Sequence, residues 1–237
     1  DLYFVGTESG LIVFDAQAKR ARTYRHTQNS QNTIGDDRIR SIFVDKTGII
    51  WVGNEAGVDK IVEQHSFKIF QHKNNEPNSF PPGIVRCVIE DREENIWIGI
   101  TNKGLVKYNP RDKTFRYFKP DYKRGSIAIT GVQITALFED SNGDIWIGEW
   151  DTGLNKYNTK EDKFEHVASR ERGLIPLTDN RIQFIREDGP GVLWIGTENG
   201  LNKIYLNEKR SVAFSYNKND ENSLGGNSLQ SNAYVKD

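Results

Sequence analysis

The stretch NIWIGITNKGLVKY, Asn95 to Tyr108, decides the fold because it occurs five times. Its counterparts are LYFVGTESGLIVF (2–14), IIWVGNEAGVDKI (49–61), DIWIGEWDTGLNKY (144–157) and VLWIGTENGLNKI (192–204). The first glycines fall at Gly6, Gly53, Gly99, Gly148 and Gly196, a step of 46 to 49 residues. A second glycine follows each: Gly10, Gly57, Gly104, Gly153 and Gly200.

The register extends outward in both directions. Upstream lie apolar segments ending in aspartate: IRSIFVD (39–45), VRCVIED (85–91), ITALFED (134–140), IQFIRED (182–188) and SNAYVKD (231–237). Downstream of each second glycine come two more apolar segments, of which the last is aromatic-rich, as in FKIF and FRYF. These segments are rich in Val, Ile, Phe, Tyr and Trp, and turn residues punctuate them at short intervals, which specifies strands. One repeat is therefore four short strands, A to D. Strand A ends in Asp, B carries Trp-Ile-Gly, C follows the second glycine and D is aromatic.

Repeats of this length and strand content specify an all-β protein, a β-propeller of four-stranded antiparallel blades. The Trp-Ile-Gly strands are expected at 2–6, 49–53, 95–99, 144–148 and 192–196. The last strand A, 231–237, is expected to pair with the first strand B. Five repeats fit either a closed five-bladed ring or part of a longer propeller. Phe4, Trp51, Trp97, Trp146 and Trp194 are expected to pack between blades. Asp45, Asp91, Asp140, Asp188 and Asp237 share one turn position, so they read as turn formers and not as metal ligands.

Composition narrows the function. The chain of 237 residues is 36% hydrophobic and 27% charged, ordinary for a globular protein. A net charge of −1 gives no global pull towards nucleic acid. No apolar run reaches the roughly 18 residues of a membrane span. Methionine is absent and the first residue is Asp1, so the sequence reads as a piece of something longer. Cys87 is the single cysteine, which leaves no internal disulfide.

Candidate site residues are those that vary while the frame stays fixed, since binding groups ride on loops borne by a rigid scaffold. At the start of strand A the aligned positions are Arg38, Ile84, Gln133, Arg181 and Gln230. Two residues on they are Arg40, Arg86, Thr135, Gln183 and Asn232. Arginines and amides in a cluster suit hydroxyl-rich or carboxylate ligands through directional and bidentate hydrogen bonds. The alternative is that they pair with Asp36, Asp37 and Asp179 in the adjacent loops. Trp150, followed by Asp151, has no aromatic counterpart in the other repeats, where Glu8, Glu55, Asn102 and Glu198 stand at about that place. An aromatic ring there stacks on a sugar, anchors a partner or folds over its own turn. The Asn-Ser-Leu-like elements at 78–80, 125–127 and 222–224 read as structural, their third residue plugging a gap between blades.

An enzyme needs convergent catalytic groups. His26, His65, His72 and His166 all fall in or beside strand D, the outer edge of a blade, and read as solvated surface residues. No catalytic residue, metal site or cofactor is assigned.

The segments NSFPPGIVRCVIEDREENIWIGITNKGLVKY (78–108) and LTDNRIQFIREDGPGVLWIGTENGLNKI (177–204) resemble the two-component regulator propeller repeat. The resemblance covers essentially the whole chain. It implies the extracytoplasmic, periplasmic sensor region of a membrane-anchored sensor histidine kinase, as in the hybrid kinases of gut bacteria. Such regions usually hold more than five blades and look like carbohydrate sensors. The implied role is non-catalytic ligand sensing, with an oligosaccharide or other small ligand and the neighbouring receptor domains as partners. The ligand would meet Arg38, Arg40, Arg86, Gln133, Trp150, Asp151, Arg181 and Gln183. Two alternatives stand beside this: a protein-interaction or dimerisation scaffold, and a propeller lyase or hydrolase.

Overall fold

The structure, a computed structural model, describes residues 2–28, 30, 33–62, 66–73, 79–121, 129, 131, 133–171 and 173–229. Every regular element among them is a strand. The first sheet holds β1 (Leu2–Thr7), β2 (Gly10–Asp15) and β3 (Arg20–Tyr24). The second holds β4 (Ile39–Val44), β5 (Ile50–Asn54), β6 (Gly57–Val62) and β7 (Ser66–Gln71). The third holds β8 (Val85–Glu90), β9 (Ile96–Ile100), β10 (Gly104–Asn109) and β11 (Thr114–Phe118). The fourth runs from β12 (Ile134–Glu139) through β13 (Ile145–Glu149) and β14 (Leu154–Asn158) to β15 (Lys163–Ser169). The fifth holds β17 (Ile182–Glu187), β18 (Val192–Thr197), β19 (Gly200–Tyr205) and β20 (Arg210–Phe214).

The A-B-C-D meander expected from the repeats is thus present in four sheets, with strand D at the edge of three of them. Two sheets depart from it. The fourth gains a fifth strand, β16 (Ile175–Pro176), parallel to β15. The first has three strands among the described residues, and the expected partner segment 231–237 lies outside them. The chain divides into two compact units, Asp1–Tyr117 and Phe118–Asp237.

In each unit the repeated residues do repeated work. Asp91 closes its turn by accepting the N–H groups of Glu93 (2.9 Å) and Asn95 (2.8 Å). Its second oxygen takes the indole N–H of Trp97 at 2.8 Å. Asp45 with Trp51 (3.0 Å), Asp140 with Trp146 (2.9 Å) and Asp188 with Trp194 (3.2 Å) repeat the bond. The turn-forming role expected of these aspartates holds for Asp45, Asp91 and Asp140, whose side chains accept turn N–H groups, while the Asp188 side chain bonds Trp194 and Lys203 and Asp237 lies outside the described residues. The indole bond adds a reason for the Asp-to-Trp spacing of six residues. A lysine lies over each ring: Lys60, Lys107, Lys156 and Lys203, at 4.8 to 5.9 Å from the centroids.

Trp51 and Trp146 pack against the next blade as expected, whereas the ring contact of Trp194 is with Phe214 of its own blade. Trp51, Trp97 and Trp146 are fully buried, whereas Trp194 and Phe4 are half-buried. Trp51 stacks on Phe70 of its own blade (6.0 Å) and meets Tyr108 of the next (6.2 Å, edge-on). The glycine after Trp-x lets the neighbouring blade approach. A Cβ on Gly53 would lie 2.6 Å from Val85 Cγ1, and one on Gly148 would lie 2.5 Å from Ile182 Cγ2. Both contacted residues open strand A of the following blade.

The loops from strand D to strand A are pinned by an apolar residue five positions before strand A: Ile34, Phe80, Ile129 and Leu177 are buried there. Leu224, in the last loop, is half-buried. Ser79 braces its loop by accepting the N–H of Lys73 and donating to the carbonyl of Lys73, both at 3.1 Å. Ser223 does the same with Asn217. The structural reading of the Asn-Ser-Leu-like element therefore holds for its second and third residues. In the third loop the expected plug, Ile127, lies outside the described residues, and Ile129 takes the buried place.

Candidate functional site

The candidate residues at the start of strand A owe their placement to a repeated backbone irregularity. The pairing of A with B slips between Ile39 and Ser41, Val85 and Cys87, Ile134 and Ala136, and Ile182 and Phe184. The residue caught in each slip is Arg40, Arg86, Thr135 or Gln183. A β-bulge re-aims a side chain that a regular ladder would send into the sheet face. Sequence alignment found these positions as variable, but the slip that makes them special has no signature in a short strand.

In the first unit the arginines are engaged by carboxylates. Arg40 Nη1 bonds Glu8 Oε1 at 2.5 Å, and its Nη2 bonds Glu55 Oε1. Arg38 pairs with Glu55 (2.7 Å) and Asp36 (3.3 Å). The adjacent-loop pairing weighed from sequence is thus present for Asp36, while Asp37 accepts the backbone N–H of His26 at 2.6 Å. Glu8 and Glu55 were seen only as turn residues equivalent to Trp150; their role as arginine partners was missed. Arg86 is exposed and has no ion-pair partner among the described residues.

In the second unit Arg181 lies 5.9 Å from the ring centroid of Trp150. Asp179 holds the same guanidinium bidentately, Nε to Oδ1 at 2.9 Å and Nη2 to Oδ2 at 2.7 Å. This bond and the nearby charge hold the Asp179 carboxyl below its usual range. Gln183 donates to Glu198 at 2.5 Å, and Ser228 donates to the other Glu198 oxygen at 3.1 Å. Trp150 itself is half-buried, and its backbone N–H bonds the carbonyl of Gln133 at 2.9 Å. The matching bonds, Thr101 N–H to Ile84 and Glu198 N–H to Arg181, align Trp150 with Thr101 and Glu198. The third repeat therefore contributes Thr101 at this place, where the sequence suggested Asn102. Asp151 is exposed beside Trp150. Gln133 is half-buried.

The second unit thus brings together an aromatic ring, a fixed guanidinium, a carboxylate, an amide and a hydroxyl. Such a surface offers a face for stacking and directional donors and acceptors at its edge. The first unit offers alternating arginine and glutamate side chains instead.

The histidines are more occupied than the sequence suggested. His26 and His72 are exposed, yet their Nδ1 atoms bond the carbonyls of Ile34 (2.9 Å) and Phe80 (3.2 Å). His166 is half-buried against Asn155 Oδ1 (3.2 Å), and burial pushes its pKa down. His65 lies outside the described residues. Among the described residues no three His, Cys, Asp or Glu side chains converge as metal ligands.

Comparison with known proteins places these observations. The model of the two component regulator propeller matches residues 33–56, 128–151 and 176–199. Histidine kinase P4 of Formosa agariphila is 35% identical over 71 residues, which cover 28% of this chain and 5% of that protein. The extracellular domain of a protein described as a hybrid two component system of B. thetaiotaomicron superimposes with a TM-score of 0.76 at 19% identity. That match covers 96% of this chain and 28% of that one. PorZ, a surface component of the type-IX secretion system of Porphyromonas gingivalis, gives 0.69 at 22% identity, over 96% of this chain and 34% of its own. This chain thus spans less than two thirds of each of them. Its fold is that of a β-propeller, and the matched segments are repeats of the two component regulator propeller type.

Proposed function

We propose that the chain is a ligand-sensing, non-catalytic section of the extracytoplasmic region of a two component sensor histidine kinase. In this reading the Trp150–Arg181 surface receives a hydroxyl-rich ligand, an oligosaccharide. The observation that carries it is the ring of Trp150 beside a guanidinium already fixed by Asp179. A fixed guanidinium gives up little conformational freedom on binding. A sugar ring stacks its C–H face on the indole while its hydroxyls meet Arg181, Gln183 and Glu198. The repeat match supports a two component context, and the kinase and extracellular-domain relatives are of that kind. An inner-membrane anchor and a kinase domain would belong to the rest of the protein.

The test is thermal unfolding of the chain against neutral and acidic oligosaccharides, with Trp150→Ala and Arg181→Ala alongside. A ligand at 100 times its dissociation constant stabilises by about 2.7 kcal/mol. A shift that both variants abolish supports the reading. A shift that neither variant alters refutes this site, and no shift with any glycan refutes the ligand class.

A second reading, a protein-interaction scaffold, has one observation in its favour. Leu2, Tyr3, Val5 and Phe14 are exposed on the first sheet, and Phe214 and Tyr216 on or beside β20. Exposed apolar clusters of this kind mark contact surfaces. Light scattering of the chain, alone and with Tyr3→Ser and Val5→Ser, tests whether this face joins two copies.

A further inference from the structure

Two residues after the second glycine, strand C carries Asp59, where the fourth and fifth blades carry Asn155 and Asn202 and the third carries Val106. Asp59 is completely buried. Its Oδ2 accepts the N–H of Gly35 at 2.9 Å and the side-chain amide of Asn54 at 2.7 Å. Its Oδ1 is buried without a hydrogen-bond partner among the described residues. In the fifth blade Asn202 does the equivalent work with a neutral amide, accepting the N–H of Thr178 at 3.0 Å. An ionisable group is therefore not needed for the fold at this position, and here one is sealed under a loop.

The bond partner matters. Gly35 N–H and Ile34 C=O belong to one peptide plane, and His26 Nδ1 bonds that carbonyl at 2.9 Å. Two titratable side chains thus grip the same peptide from opposite sides. That peptide anchors the segment carrying Asp36, Asp37 and Arg38. We propose that Asp59 is a proton-controlled latch on residues 33–38. The neutral carboxyl keeps the segment down on β5–β7, and ionisation lifts it to admit water, moving Arg38 away from Glu55.

The physical basis is the cost of an ionised carboxylate in a dry site, which falls steeply once water reaches it. Burial pushes the carboxyl up to about 7, against the lowering effect of its bonds from Gly35 and Asn54. The charged groups that face it are His26, which favours ionisation, and Asp36, which opposes it. β5 and β7 present the neutral Asn54 and Ile69. Lys60, next on β6, lies over Trp51. Lifting the segment returns the carboxyl towards its ordinary value. Closure should then weaken by about tenfold for each pH unit between the ordinary carboxylate value and the closed-state value, and level off above it, as linkage of one proton requires. The inference does not rest on the oligosaccharide reading.

The test is amide hydrogen exchange of the whole chain from pH 5.5 to 8.5, expressed as protection factors for 33–38. The expected result is a fall in protection at Gly35 of about tenfold per unit up to about pH 7 and level protection above it. Asp59→Asn, which copies the fourth and fifth blades, should keep protection level throughout. A level wild-type profile overturns the proposal, as does the same fall in Asp59→Asn. His26→Gln separates the histidine's share: the fall should persist in that variant, and its loss there would assign the effect to His26 and overturn the proposal. Should Asp59→Asn fail to fold, carbonyl NMR titration of Asp59 decides. A midpoint near 7 supports the latch, and one below 5 overturns it.

Discussion

Arg181 sits between two different partners: the ring of Trp150 at 5.9 Å and the carboxylate of Asp179, which it grips through two nitrogens. The carboxylate sets the position, and the ring then faces a cation that cannot swing away. Because Asp179 is a depressed carboxyl, its stabilisation is present above about pH 4 and is lost as pH falls through the folded-state value. Asp179→Ala should lower stability at pH 7 by about 1 kcal/mol, the solvent around half-exposed Arg181 screening the rest. Urea unfolding at pH 7 and pH 3 checks this, with the difference shrinking at pH 3.

Asp59 should behave with the opposite sign. Its folded-state value of about 7 lies above the unfolded one, so between about pH 4 and 7 the folded chain holds a proton that the unfolded chain has released. Stability therefore falls as pH rises through that window. Asp59→Asn should match wild type near pH 4 and exceed it at pH 8 by up to about 4 kcal/mol, the linkage limit for the full shift. Chemical unfolding of both proteins at the two pH values measures the gap. A variant less stable than wild type at pH 8 would refute the burial argument.

Among the turn aspartates, burial should rank the cost of truncation. Asp91 is 3% exposed and receives two backbone N–H groups, the side-chain amide of Asn95 and the Trp97 indole. Removing it leaves several buried donors unsatisfied, each worth about 1–3 kcal/mol. Asp45 makes similar bonds in a half-buried turn where water can substitute. Asp91→Ala should therefore cost at least about 2 kcal/mol more than Asp45→Ala, measured by urea unfolding.

The frame was legible because it is repeated. Trp-x-Gly and the Asp six residues before Trp recur four times and the second glycine five times, and repetition separates these local needs from chance. The site was only half legible. Arg38, Arg40, Arg181 and Gln183 were identified as variable positions, but their partners Glu8, Glu55 and Glu198 come from turns 15 or more residues away from the arginine or glutamine they bind. The added strand β16 was missed for a different reason: two residues containing a proline carry no strand period. Asp59 reads in the sequence as one polar residue on a strand, and only burial reveals its cost.

The loop plugs should differ along the chain. Phe80 is 2% exposed and meets Phe115 edge-on at 6.0 Å. Phe80→Ala should cost about 3–5 kcal/mol, the usual range for a buried phenylalanine. Leu224 is half-buried, so Leu224→Ala should cost under about 1.5 kcal/mol, the transfer value of a partly exposed side chain. Comparable losses at both sites would show that the last loop is packed as tightly as the second.

Gly148→Ala tests the joint between blades directly. Gly148 lies in mid-strand, outside the set of positive-φ glycines, so backbone freedom is not why glycine is needed there. The reason is space: an added Cβ would lie 2.5 Å from Ile182 Cγ2, 3.0 Å from its Cβ and 3.1 Å from the Cβ of Ala136. None of these is the far end of a flexible chain, so strand A of the next blade must move bodily. Thr135, in the bulge beside it, bonds the carbonyls of both Gly148 and Ile182, and that movement would stretch these bonds as well. Overpacking of this kind costs about 1–3 kcal/mol. Ile182→Ala removes the Cγ2 methyl that the added Cβ would crowd, so the double variant should recover part of the loss while Ile182→Ala alone destabilises. A double-variant cycle in urea unfolding reads this as a favourable coupling. Strictly additive losses would mean that Gly148 is kept for some reason other than the approach of Ile182.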